Sequence, residues 1–299
     1  MGYMLSTKHK YEDGINAIDA ALDANALFEP QRVGTILPNR TEDDETFTIY
    51  REYADGSQVV LNSGVSKNYY SGSYKSLLNT AEAMFPESVT NMQTWNHGAV
   101  LVFTQDIDEP YTFADGDEVT RSIMYTASMN SAFPTRAIGF TFRAFCTNQE
   151  GQGELQLSQR RSKNHDEMLF SKSQILAEAA NRFSLFVSNA TMLKGLEMTP
   201  SLYRRILDEV APLVTDPTAH GKKVISAQKR RDGINYFYGV ESDTFGKNAF
   251  SLYQAVQSYE FHSATSGKFQ EFKQAKIVSE PEKNQTLTNR TVEMLLASV

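Results

Sequence analysis

A chain of 299 residues that is 40% hydrophobic and 22% charged can bury a large core, which excludes an intrinsically disordered protein. One cysteine, Cys146, excludes an intrachain disulfide and a cysteine-rich zinc site, and no apolar run approaches the roughly 20 residues of a membrane helix. The net charge of −7 is unevenly spread: −10 over residues 1–150, +5 over 151–231 and −2 over 232–299, so an anionic partner is favoured at the middle.

The first residues, MGYMLSTKHKYEDG, lack the apolar core of a signal peptide, and the expected location is cytoplasmic. Residues 11–28 place Ile15, Ile18, Leu22 and Leu27 near helical spacing, which predicts an amphipathic helix closed by Pro30. A short strand is expected over 32–37, and an acidic loop over 41–45. Phe47–Tyr53 alternates as a strand, and Asp55-Gly56 turns it into a second strand over 57–63. Residues 73–84 read as a helix closed by Pro86. Gly98–Asp106 is β-branched and aromatic, the composition of a largely buried strand. An acidic excursion over 107–118, with an Asp115-Gly116 turn, leads into strands at 119–127 and 135–146. Their short connections require antiparallel pairing. After Gly151 and Gly153 and a short strand over 155–158 the pattern becomes helical. Residues 172–196 carry Ile175, Ala179, Phe183, Phe186, Ala190 and Leu193 in steps of three and four. Further helices are expected from Pro200 through Leu213, over 245–262, and in the tail after Lys283.

The chemistry is sparse. No P-loop is present, and Gly151-x-Gly153 lacks the rest of a dinucleotide-binding fingerprint. Asp106, Asp108, Glu109, Asp115, Asp117 and Glu118 are dense enough for a divalent cation, but acidic residues on a hairpin commonly keep an edge soluble. Cys146 ends an apolar strand, where a lone cysteine is usually a small core residue. His97, His165 and His262 are scattered, so no catalytic residue, metal ligand or cofactor is assigned. The basic segments carry more. Arg160, Arg161, Lys163 and His165 form one cluster, Lys222 and Lys223 a second, and Lys229, Arg230 and Arg231 a third. Tyr236 and Tyr238 follow directly. Cations that neutralise phosphates beside aromatic stacking platforms suit single-stranded nucleic acid. The alternative is an ordinary solvated surface with Tyr236–Tyr238 in a buried strand.

Several segments together resemble one family. They are Asn62-Ser63-Gly64-Val65-Ser66-Lys67-Asn68-Tyr69, the glycine-led strand Gly98–Phe103, and the stretch from Arg121 ending in Arg143, Cys146 and Asn148. A further one is the C-terminal run from Asn248 through Tyr253, Gln257 and Tyr259 to His262. Ser128-Met129-Asn130-Ser131 stands where the family has a serine-histidine-aspartate-glycine loop, and departs from it. In order and rough spacing these pieces are similar to the phage/plasmid-like proteins of the domain of unknown function 932. That resemblance implies a mobile-element origin, a bacterial host cell, and a place among replication, recombination or host-takeover genes; it implies no reaction. Because it runs across the change in character near residue 150, one intertwined α+β domain is expected over 1–299. It would be β-rich over 30–158 and mainly helical over 172–299, with the helices packed on an antiparallel sheet. The expected function is non-enzymatic binding of nucleic acid, single-stranded DNA favoured, in an annealing-like role that homo-oligomers would serve. One alternative is a host-takeover protein whose acidic first half meets a host protein. Another is a metal-dependent nucleic-acid enzyme built on the acidic hairpin.

Overall fold

The computed structural model describes residues 5–35, 46–107, 110–132, 134–143, 149–150, 157–162, 172–216, 218, 220–263 and 286–298. Antiparallel sheets occupy the N-terminal half and helices the C-terminal half, an α+β arrangement. The chain divides into two compact units that alternate along it. The first comprises 1–111, 120–140 and 155–181; the second comprises 112–119, 141–154 and 182–299.

The first unit holds most of the larger sheet, whose main path runs β1 (Leu5–Ile15), β5 (Val89–Trp95), β6 (Val100–Asp106), β8 (Glu118–Ser128), β9 (Thr135–Arg143) and β10 (Gln149–Glu150), the last lying in the second unit. β7 (Tyr111–Thr112) pairs with β8, and β11 (Leu157–Gln159) pairs with β9. Pleating puts alternate residues on one face. Met92, Leu101, Phe103, Ile123, Tyr125 and Ala127 therefore share a core with helices α1 (Ala17–Asp23) and α2 (Lys75–Met84). Phe103 and Tyr125 are directly paired across β6 and β8 and stack with centroids 4.6 Å apart. α1 offers Ala17, Ala20, Ala21 and Ala24 to this core, and α2 offers Leu77, Leu78, Ala81 and Met84. Buried Gln105 donates to the Ala81 and Phe85 carbonyls at 3.3 and 2.9 Å, tying the end of α2 to β6. A separate three-stranded sheet orders β2 (Gln31–Thr35), β3 (Thr46–Glu52) and β4 (Gln58–Ser66). The Asp55-Gly56 turn closes its hairpin as expected, with Gly56 at φ 80° and the Asp55 carboxylate accepting from the Ser57 amide.

The helix expected over 11–28 is wrong for its first third and too long at its end. Residues 11–15 belong to β1, and the helix is only Ala17–Asp23. The register of β1 on β5 shifts between Lys10 and Ile15, around Gly14, where φ is 75° and a Cβ would stand 2.4 Å from the Glu87 carbonyl oxygen. Asn16 then caps α1 by accepting from the Ile18 amide. Leu22, counted on the apolar stripe, is exposed. β5 had no counterpart in the sequence reading. The strand expected to end at Cys146 is described to Arg143, and residues 144–148 lie outside the described residues.

The second unit is helical: α3 (Lys172–Gly195, from Arg182 onward), α4 (Pro200–Val210), α5 (Gly221–Phe245), α6 (Ala249–Ser258), a π turn at Tyr259–Ser263, and α7 (Thr286–Leu296). Its core joins Phe186, Ala190 and Leu193 of α3 with Ile206, Leu207 and Val210 of α4. Ile234 of α5, Ala249, Phe250, Leu252, Tyr253 and Val256 of α6, and Val292 and Leu295 of α7 also belong to it. Phe113 and Val119 of the β7–β8 hairpin belong to the same core. No helix among the described residues is long and apolar enough to cross a membrane.

Candidate functional site

The polar stretch that the sequence left without an element is a single helix of 25 residues, α5, about 37 Å long. It holds five of the candidate cations, Lys222, Lys223, Lys229, Arg230 and Arg231, together with Tyr236 and Tyr238. His220 caps its start by accepting from the Lys222 amide at 3.2 Å. At about 100° per residue these residues separate into faces. Lys222, Lys229 and Tyr236 recur every seven residues on the outer side, all three exposed, Tyr236 at 67%. Its ring meets Phe237 edge-on at 5.3 Å.

Of the other members Lys223 is exposed, and Arg230, Arg231 and Tyr238 are engaged within the fold. Arg231 pairs with Asp208 of α4 at 2.7 Å. Tyr238 stacks on Tyr203 with centroids 4.6 Å apart, and burial pushes its phenol up. Arg230 is partly buried and its charge reaches Glu260. Burial pushes the Glu260 carboxyl up, against bonds from Thr288 and Leu287 and against Arg230. That carboxylate accepts from the Leu287 and Thr288 amides, both 2.9 Å, and from the Thr288 hydroxyl at 2.6 Å, so the π turn caps α7. Gly233 leaves room for this turn, because a Cβ there would stand 2.6 Å from the Tyr259 ring. Tyr236–Tyr238 is therefore helical, not a buried strand.

The 160–165 cluster belongs to the first unit and is described only in part. Arg160 is exposed, but Arg161 is buried. Its guanidinium donates to the Tyr70 and Gly72 carbonyls and lies over the Tyr70 ring at 4.8 Å. That geometry makes Arg161 a structural tie. Lys163 and His165 lie outside the described residues.

The acidic hairpin has a partner the sequence did not reveal. In the second unit the Lys194 ammonium pairs with Asp115 and, at 3.1 Å, with Asp117. It also stands 4.7, 5.1 and 5.4 Å from the ring centroids of Phe113, Phe250 and Phe245. Asp117 is buried, not on an exposed edge. Asp106, in the first unit, accepts from the Ser122 hydroxyl at 2.6 Å. Among the described residues no group of three or more histidine, cysteine or acidic side chains could hold a metal ion.

Segments that carried the resemblance meet at one corner of the first unit. Asn62 donates to the Met129 carbonyl and to the Ser131 hydroxyl, both 2.9 Å. The Tyr69 phenol reaches the same carbonyl at 2.9 Å, and the Met129 amide donates to Ala99 at 2.7 Å. The 128–131 loop is thus pinned by Asn62 of β4, by Tyr69 beyond it, and by Ala99 just before β6. Cys146 and Asn148 lie outside the described residues.

One family, described as a domain of unknown function (DUF932), matches residues 73–293, most of the chain. The segment Asn62–Tyr69 precedes that match. No curated protein and no solved structure matches.

Proposed function

The chain belongs to the DUF932 family, and within it we propose a phage or plasmid protein that binds nucleic acid, single strands foremost, without transforming it. One observation carries this reading: the exposed face of α5 aligns Lys222, Lys229 and Tyr236, two cations and a stacking ring, at seven-residue intervals. Lysines spaced along a groove track phosphates, and a tyrosine with a free π-face accepts any base. A second physical point supports it. Two cations, Lys222 and Lys223, stand in the first turn of α5, which has no acidic residue. Cations at the positive end of a helix dipole are unfavourable, and an anion seated there offsets the cost.

Fluorescent single- and double-stranded DNA titrated across a salt series tests the proposal. The expected result is tighter single-strand binding that weakens steeply with salt. Lys229→Glu should flatten the single-strand salt slope by about 0.7 or more, and Tyr236→Ala should weaken binding by about tenfold or more. Absence of binding at low salt overturns the proposal and favours a protein partner. Acceleration of annealing between complementary oligonucleotides would place the protein in recombination or replication.

A further inference from the structure

The outer face of α5 carries a pattern that repeats when the helix is reversed. About the midpoint between Asp232 and Gly233, Lys222 is equidistant with Asp243, Ile225 with Val240, and Lys229 with Tyr236. All six residues are exposed, with Ile225, Tyr236 and Val240 at 57%, 67% and 47%. At about 100° per residue all six fall within roughly a sixth of the helix circumference. Their steps of three, four, seven, four and three residues match the seam of two packed helices.

We propose that this face binds the same face of a second copy of the chain, the two α5 helices antiparallel about a two-fold axis between Asp232 and Gly233. Such a pairing sets each Lys222 against an Asp243, each Ile225 against a Val240, and each Lys229 over the Tyr236 ring, a cation–π contact. Parallel pairing would set lysine on lysine and aspartate on aspartate, so charge selects the antiparallel arrangement. A single helix pair lies at the small end of stable interfaces, so the dimer is reversible. The self-pairing stands on the pattern of this helix alone. Its consequence rests on the nucleic-acid reading: Lys229 and Tyr236 cannot serve both partners, so single strands and the second copy compete for the face.

Sedimentation of the full chain over a concentration series tests the pairing. Wild-type protein should dimerise reversibly. Lys222→Glu and Asp243→Lys should each weaken the dimer by about tenfold, and the two together should restore it. A chain monomeric at every concentration, or a dimer indifferent to the single changes, or a double variant no better than the singles, overturns the proposal. Excess single-stranded oligonucleotide should then drive wild-type dimer to monomer. If the oligonucleotide binds and the dimer persists, the shared face is wrong. If the charge swap restores the dimer and no oligonucleotide binds, self-pairing stands and the nucleic-acid reading fails.

Discussion

Lys194 shows how much a single side chain can hold. It is only 11% exposed and neutralises Asp115 and Asp117 from a position 77 or more residues away in sequence. Lys194→Met would keep much of the apolar stem but leave two neighbouring carboxylates without their cation, one of them buried. We expect a loss of about 3 kcal/mol, read by denaturant unfolding. The pH dependence follows from the same pair. Burial pushes the Asp115 carboxyl up, but bonds from Lys194 and the Asp117 amide outweigh it and hold it below the ordinary range. A lowered carboxyl contributes stability that is present above about pH 4 and lost as the pH falls through the lowered value. Wild-type protein should therefore lose more stability on acidification than Lys194→Met, measured as unfolding midpoints at falling pH. Asp106 and Glu260 run the other way. Burial raises both, so their contribution is lost as pH rises through the raised values. None of this was legible beforehand. The hairpin's acidic residues were visible in the sequence, but a single lysine on a distant helix leaves no local signal.

At the scale of elements, the sequence was readable where periodicity was strong and silent where polarity hid it. Phe186, Ala190 and Leu193 on α3 sit in the second core as their spacing requires. β3, β4, β6, β8 and β9 fall within a few residues of expectation. β5, VTNMQTW, was missed because polar residues interrupt it, although Val89, Met92, Thr94 and Trp95 are buried. α5 was missed because cations fill its first half and it has almost no apolar stripe, with only Ile234 and Glu241 fully buried. The candidate cations themselves were legible from composition. That Lys222 and Lys229 share a face with Tyr236, while Arg161 and Arg231 are engaged elsewhere, depended on the fold. α7 also relies on a remote group. Glu260→Ala would strip its first turn of the carboxylate that accepts from Leu287 and Thr288, leaving the fully buried Thr288 hydroxyl without that acceptor. The expected cost is about 2 kcal/mol, with faster hydrogen exchange at the amides of residues 287–290. Glu260→Gln, which keeps one acceptor oxygen, should recover part of it.

For the molecule as a whole, the interleaving of the two units along the chain sets what can be cut away. The second unit cannot be excised as one piece. A fragment spanning 182–299 lacks Phe113 and Val119 from its core and both carboxylates that hold Lys194. We expect such a fragment to show helical circular dichroism but no cooperative thermal transition, in contrast to the full chain. A sharp transition in the fragment would mean that the hairpin is dispensable to this core.

The place of β1 also sets a timetable for synthesis. Among the described residues its strand partners are residues 89–95, which a ribosome adds roughly 4–18 s later at ordinary elongation rates. Through that interval the nascent chain carries an unpaired strand able to join any other open edge. Lys8, His9, Lys10, Glu12 and Asp13 make it a poor template for such pairing. The charges that hid this strand from a reading based on alternation are thus the ones that guard it until β5 arrives.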